Sequence, residues 1–252
     1  MCPRRCGVNR PAGQRGYCRL DDSLICFREM IHNHEESPLN PSHQVYFAGC
    51  NLRCDFCTVA EYNEQIASIH PIPLDRLAAR IQSRKREGAA TLNLLGGEPA
   101  VNLAGILSLL SEIDPATVVV WNSNMYYNAC VDSYIEGVAD IVLADFKCGN
   151  AVCSRDLLDA EDYVSVVQDN LSRAARHADL IVRHLVLPGH GDCCTVPVLQ
   201  WIADHLPQVK VSLRFDYIPP AQSRSAPKTY GNRKDQTEVL DCARNLHLNL
   251  IQ

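Results

Sequence analysis

The chain has 252 residues, 46% hydrophobic and 21% charged, a composition that excludes disorder and collagen-like structure and is long enough for one or two compact domains. Lys and Arg number 24 against 29 Asp and Glu, a formal charge of −5, so there is no general basic excess to suit nucleic acid or an anionic membrane surface. No run approaches the ~18–20 apolar residues of a membrane span. The opening Met-Cys-Pro-Arg-Arg-Cys lacks the apolar core of a signal peptide. Thirteen cysteines in a chain too large to need disulfide staples point to a reducing, cytoplasmic setting where thiols ligate metal or react.

Residues 1–42 carry Cys2, Cys6, Cys18 and Cys26 among Gly and Arg without clear periodicity. They read as a short Cys-rich N-terminal extension to a main domain over residues 43–252. Cys2, Cys6 and Cys18, with Cys26 as a fourth candidate, form a candidate second metal or auxiliary cluster site; the plainer alternative is reduced thiols on a lightly ordered terminus. Short apolar runs bounded by turn residues then predict strands at 44–48, 91–95, 117–121, 141–144, 180–187 and 209–215. Between them, Leu74, Leu77, Ala78 and Ile81 before Gly88, then Leu103, Ile106, Leu107 and Leu110 before Pro115, then the pattern from Tyr163 to Ala178, predict helices. Strand–helix alternation indicates an α/β fold built from βαβ units, read as a partial (β/α)6 TIM-like barrel with polar residues at the strand C-termini as site candidates. Residues 219–235, rich in Pro, Ser, Lys and Gly, read as a surface loop able to act as a lid.

The first of these strands runs into Gly49-Cys50-Asn51-Leu52-Arg53-Cys54-Asp55-Phe56-Cys57, three thiols at CxxxCxxC spacing. Three thiolates can hold three irons of a 4Fe-4S cluster and leave the fourth iron open for chemistry. Zinc with a distant His is the alternative that spacing alone leaves standing. The second strand ends in Gly96-Gly97-Glu98-Pro99. Its glycines allow close backbone approach to a ligand, and Glu98 offers an acceptor for a cationic amine.

The triplet with GGEP about forty residues later resembles the radical S-adenosylmethionine (radical SAM) superfamily. The branch around the pyruvate formate-lyase activating enzyme is resembled more closely, through Cys2-Pro3-Arg4-Arg5-Cys6-Gly7-Val8-Asn9-Arg10, Gly16-Tyr17-Cys18, Asp145-Phe146-Lys147 and the run Ile181 to Gly189. That resemblance implies that Cys50, Cys54 and Cys57 hold a 4Fe-4S cluster whose free iron chelates the amino and carboxylate groups of S-adenosylmethionine. Reductive cleavage then gives methionine and a 5'-deoxyadenosyl radical that abstracts hydrogen from a substrate. It further implies that Gly96, Gly97 and Glu98 receive the methionine amino group, that Phe56 shields the cluster and packs toward adenine, and that Asp145, Lys147 and Arg183 meet the cofactor. Where the activating enzyme has an aspartate-threonine pair after its third strand, this chain has Asn122-Ser123-Asn124. Neutral Asn122 weakens an inherited monovalent-cation site, although its amide oxygen can still ligate.

The implied partners are a small-molecule or peptide substrate, or a glycyl radical enzyme, with flavodoxin or ferredoxin as electron donor and no nucleic acid. The competing reading is a non-catalytic zinc or iron-sulfur module for structure or electron transfer. Outside the triplet, His190, Cys193 and Cys194 follow Leu187-Pro188-Gly189 at a strand end, with Cys148 and Cys153 on a neighbouring loop. They can bind metal, hold substrate or donate a hydrogen atom. Because adjacent cysteines ligate one metal uncomfortably, a simple loop pair is the plainer reading. Cys130 and Cys242 read as core or helix-face residues. Asp216 and Tyr217 are candidates to touch ribose or substrate, with core packing the alternative for Tyr217.

Overall fold

The computed structural model describes residues 2–251. Among them the strands are β1 (Cys26–His32), β2 (Ser42–Phe47), β3 (Thr91–Gly96), β4 (Val119–Ser123), β5 (Ile141–Asp145), β6 (Asp179–Leu185), β7 (Lys210–Arg214) and β8 (Asn249–Ile251). Their order in one sheet follows the chain. Neighbours β2–β3–β4 and β6–β7–β8 are parallel, whereas β1 is antiparallel to β2. The helices are α1 (Ala60–Glu64), α2 (Leu74–Arg86), α3 (Leu103–Ser111), α4 (Asp132–Ile135), α5 (Ala151–Leu158), α6 (Tyr163–Ala174), α7 (Val196–His205) and α8 (Arg233–Asn245). Strands in sequential order with helical crossovers give the α/β topology of a partial β/α barrel, and β2 to β7 are the six strands the apolar runs predict. No helix of the described residues is long and apolar enough to cross a membrane.

Two strands escape the sequence pattern for physical reasons. β1 reads CFREMIH and leaves Arg28 and Met30 exposed, the charged, one-sided character of an edge strand. β8 has three residues, none buried. Helix limits follow local chemistry: α2 buries Leu77, Ala78 and Ile81, places Asp75 in its first turn and Arg84, Lys85 and Arg86 in its last, and stops before Gly88 at φ +103°. α8 buries only Val239 and Ala243 and starts where Asn232 Oδ1 accepts from Asp235 N, so its apolar stripe is thin while its cap is clear.

The chain divides into two compact units. The first contains the residues up to Asn51, Val59–Ser123 and Tyr127–Val142; the second contains Leu52–Thr58, Asn124–Tyr126 and the residues from Leu143 on. In the first, Cys18 and Leu20 of the N-terminal segment pack with Ala48, Ile66 and Val101, so that segment shares a core with β2. In the second, fully buried Phe146, Tyr163, Leu171, Val182, Leu199 and Val211 belong to the core. His184 of β6 is also buried there: its Nδ1 donates to Phe146 O (2.6 Å) and its Nε2 accepts from Thr195 Oγ1 (3.0 Å).

Burial pushes His184 down to about 4 from 6.5 despite the Phe146 carbonyl. The unfolded chain therefore binds a proton that the folded chain does not between these values, so the stability His184 contributes is present above about pH 6.5 and is lost as pH falls toward 4. The linkage is roughly 3 kcal/mol when complete. Thermal melts at pH 7.5 and 5 are expected to show a larger fall for the wild type than for His184→Gln; equal falls refute the assignment.

Candidate functional site

In the first unit the end of β3 presses onto the segment that leads into Cys50. A Cβ on Gly97 would lie 1.9 Å from Gly49 O, and one on Gly96, at φ +120°, 2.3 Å from the Phe47 backbone, so neither position accepts another residue without moving backbone. Gly97 N donates to Phe47 O (2.6 Å) and Glu98 N to Gly49 O (2.9 Å), closing the junction. Glu98 is fully buried, and its Oε1 accepts from Ala100 N (3.0 Å) and Ser123 Oγ (2.8 Å). Asn102 Nδ2 ties Glu98 O to Ala48 O at 3.1 and 3.0 Å. The tetrapeptide thus brings Gly96, Gly97, Glu98 and Ser123 to the residues preceding buried Cys50; its glycines are required by Phe47 and Gly49, a packing role that the sequence reading missed. Asn122, also buried, precedes Ser123 at the end of β4.

The N-terminal motif is fastened to the same unit. Arg4 stacks on Tyr17 at 3.9 Å and its Nε donates to Asn51 O (2.8 Å), while Arg10 reaches Val101 O (2.6 Å) and Cys18 Sγ (2.7 Å). Cys26, the fourth candidate of the N-terminal set, is buried in β1, its Sγ donates to Arg28 O (3.3 Å), and burial pushes its thiol up to about 12. Cys130 lies exposed on the short 3-10 helix Ala129–Val131 and Cys242 is half-buried on α8, both on helix faces rather than in the core.

In the second unit the loop carrying Cys54, Phe56 and Cys57 is seated on the C-terminal end of α5: Arg53 N donates to Leu158 O (3.0 Å) and Asp55 N to Leu157 O (2.8 Å), and Cys57 N closes a turn on Cys54 O (3.0 Å). Phe56 is buried and meets Tyr217 edge-on, centroids 6.5 Å apart. Tyr217, itself buried, donates to Pro227 O (2.6 Å). Asp55 Oδ2 accepts the backbone N–H groups of Arg224, Ser225 and Ala226 at 2.8, 2.7 and 2.8 Å. Burial opposes its ionisation, but these three donors hold the carboxyl below its usual range. The 219–232 loop is therefore tethered at residue 55, a link 170 residues apart in sequence with Ser225. Asp55→Ala is expected to speed amide exchange at Arg224 to Ala226 by at least tenfold, the loss of one charge-assisted hydrogen bond; unchanged exchange there rules out the clamp.

At the end of β5, Asp145 holds two cations. Its Oδ1 lies 2.7 Å from Arg183 Nε and its Oδ2 2.7 Å from Lys147 Nζ, with all three side chains about one-fifth exposed. Burial alone would raise Asp145, yet the Arg183 and Lys147 charges keep it well below the carboxylate range. Lys147 is raised: burial works against its charge, but Asp145 first and the Cys54 sulfur second outweigh it. Tyr163 OH donates to Asp145 O (2.8 Å) and accepts from Lys147 N (3.1 Å), fixing the strand end. Asp216 pairs with Arg214 at 2.6 Å instead. Away from this triad, Cys153, His190, Cys193 and Cys194 bring their ligand atoms within 4.8 Å of one another, compact enough for one metal ion; in the first unit, burial and, after it, the Cys18 and Cys6 sulfurs push the Cys2 thiol up, so those three cysteines stand within electrostatic reach of one another.

Comparison with known proteins agrees with this architecture. Residues 42–144 match the model of a 4Fe-4S single cluster domain. Among solved structures, SuiB of Streptococcus suis bound to S-adenosylmethionine superposes with a TM-score of 0.59 at 13% identity, over 80% of this chain and 47% of SuiB. A domain of a pyruvate-formate lyase-activating enzyme from Bacteroides vulgatus gives 0.52 at 12% identity, over 64% of this chain and 97% of that one. The chain spans about half the length of the SuiB structures it matches. The fold is that of radical SAM enzymes. The uncharacterized protein MJ0674 of Methanocaldococcus jannaschii is 35% identical over 260 residues, covering 100% of this chain and 75% of that protein. The chain belongs to the family of this archaeal protein.

Proposed function

We propose that the chain is a radical SAM enzyme in which Cys50, Cys54 and Cys57 hold a 4Fe-4S cluster and the strand-end residues bind S-adenosylmethionine. The observation that carries this reading is the donor set: three thiols within eight residues after β2, the first of them directly following Gly49, whose carbonyl locks Gly97 of the Gly-Gly-Glu-Pro turn. Held by Cys50, Cys54 and Cys57, such a cluster would supply one electron for reductive cleavage of S-adenosylmethionine, the chemistry that leads to hydrogen abstraction from a substrate.

The protein's own contribution is positioning and exclusion of water. Arg183 and Lys147, held by one carboxylate, leave the Asp145 triad with a net positive charge suited to the carboxylate of the methionine moiety. Gly96, Gly97 and Glu98 offer backbone and carboxylate acceptors to its amino group, Asn122 and Ser123 lie at the next strand end, and buried Phe56 covers the cluster loop. A cytoplasmic flavodoxin or ferredoxin would supply the electron. The similarity to SuiB, which has been solved with its precursor peptide SuiA, and to an activating-enzyme domain supports a peptide or a glycyl radical enzyme as the hydrogen donor, with a small molecule as the third class. The cluster-bearing domain spans residues 43–252, with residues 1–42 as its Cys-rich extension.

Anaerobic reconstitution with iron and sulfide, followed by reduction in the presence of S-adenosylmethionine, is expected to yield 5'-deoxyadenosine and methionine in equal amounts. A fully reconstituted cluster that yields neither product would assign the chain to electron transfer or structure.

A further inference from the structure

A second group of thiols lies wholly within the second unit and takes no part in the proposed cleavage. Cys153 Sγ is 3.8 Å from Cys193 Sγ and 3.7 Å from His190 Nδ1, and Cys193 Sγ is 3.4 Å from the same nitrogen. Cys194 completes the set within 4.8 Å. A tetrahedral zinc with Zn–S near 2.3 Å and Zn–N near 2.05 Å has edges of about 3.8 Å between sulfurs and about 3.5 Å between sulfur and nitrogen. The three spacings among Cys153, Cys193 and His190 are close to such a tetrahedron's edges, and Cys194 lies near enough to complete it with a small adjustment. An iron-sulfur cubane, which interposes a whole cluster between its ligands, needs them much farther apart.

The adjacent cysteines reach one point because the chain is π-helical at Gly191–Thr195, with Cys194 N and Thr195 N both donating to His190 O at 3.0 and 3.1 Å. Within this widened turn both neighbouring thiols approach Cys153 and His190. Thr195 Oγ1 anchors it to buried His184, and Gly149 is required beneath it, since a Cβ there would lie 2.5 Å from Cys194 O. Asn150 supplies the surrounding hydrogen bonds. Its Oδ1 caps α5 at Cys153 N (2.8 Å), and its Nδ2 donates to Cys193 O (2.6 Å) and Cys153 Sγ (3.2 Å). A cavity of about 340 Å3 lined by Leu187, Gly189, Cys193 and Glu238 gives access from the surface.

We propose that Cys153, His190, Cys193 and Cys194 form a closed mononuclear Zn2+ site. Its role is structural: it fixes the N-terminal turn of α5, whose last carbonyls, Leu157 O and Leu158 O, hold Asp55 and Arg53 of the Cys54–Cys57 loop. Zinc at one end of α5 thereby steadies the loop seated on the other, and binding releases the three thiol protons to solvent.

The test uses the full chain purified anaerobically, with zinc and iron measured by mass spectrometry. One zinc per chain is expected in the wild type and in the variant with Cys50, Cys54 and Cys57 all changed to Ala, which separates this site from the proposed cluster. Loss of that zinc is expected in Cys153→Ser/Cys193→Ser. Zinc retained in that double variant, zinc lost instead on replacing Cys2 and Cys6, or a Cys153–Cys193 disulfide trapped in the wild type overturns the proposal. Because the double variant can fail to fold, Co2+ is also titrated into zinc-stripped wild type, His190→Ala and Asn150→Asp. Thiolate-to-cobalt charge transfer with tetrahedral d–d bands is expected in the wild type. Asn150→Asp, which keeps the helix cap but loses the N–H donor, is expected to weaken Co2+ binding about 10- to 100-fold. Octahedral spectra, or spectra and affinity unchanged by His190→Ala, overturn the assignment.

Discussion

Replacing Cys54 by Ala is expected to remove the 4Fe-4S cluster and all S-adenosylmethionine cleavage while leaving a folded chain. Three thiolates are the minimum that holds a cubane with one free iron, and the CxxxCxxC run contains no fourth cysteine to replace Cys54. Its backbone serves the fold through Cys57 N donating to Cys54 O (3.0 Å), a bond Ala retains. The loop is also seated through Arg53 and Asp55 rather than through the Cys54 side chain. Iron and sulfide analysis, the visible spectrum of the reconstituted protein and 5'-deoxyadenosine formation read the outcome together. Full iron content and undiminished cleavage in Cys54→Ala would move the active cluster to other cysteines, and loss of cleavage with iron retained would give the triplet a role other than holding the cubane.

The strands that carry the candidate residues were legible because they are buried apolar runs: β2 to β7 fall on the six segments that periodicity marks. What it missed lacks a continuous apolar signal. β1 spends alternate positions on Arg28 and Met30 at an edge, and α8 keeps only Val239 and Ala243 out of solvent. Site residues show the same division. The spacing of Cys50, Cys54 and Cys57 is local, so one short window displays it. Asp55 stands in that same window, yet its partners, three backbone N–H groups at Arg224 to Ala226, have no side-chain identity that a sequence can advertise. The grouping of Cys153 with His190 spans 37 residues and was legible only as an option, from two loops at neighbouring strand ends; its closeness depends on the π-helical turn at Gly191–Thr195, which no residue pattern encodes.

Arg183 illustrates how geometry changes the meaning of a legible residue. A cation in the apolar run of β6 calls for a partner, and the structure provides Asp145 at 2.7 Å. The same carboxylate also holds Lys147 at 2.7 Å, so the Asp145 negative charge stays paired when Arg183 is removed. Removing Asp145 is different: Asp145→Asn leaves two largely buried cations facing each other and is expected to cost about 3–5 kcal/mol of stability.

Arg183→Met preserves the stem volume and the Asp145–Lys147 pair, so the fold is expected to survive with little change in melting temperature. Loss of the guanidinium is expected to weaken S-adenosylmethionine binding by about 1.5–3 kcal/mol, the worth of a charged hydrogen bond, which is roughly a 10- to 150-fold rise in Kd. Calorimetric titration of the reconstituted variant, with melting followed in parallel, separates the roles. A large fall in melting temperature with normal affinity in the folded fraction would make Arg183 an ion-pair residue of the strand end. A weakened Kd at unchanged stability would place its guanidinium on the cofactor, since Lys147 alone already satisfies the charge of Asp145.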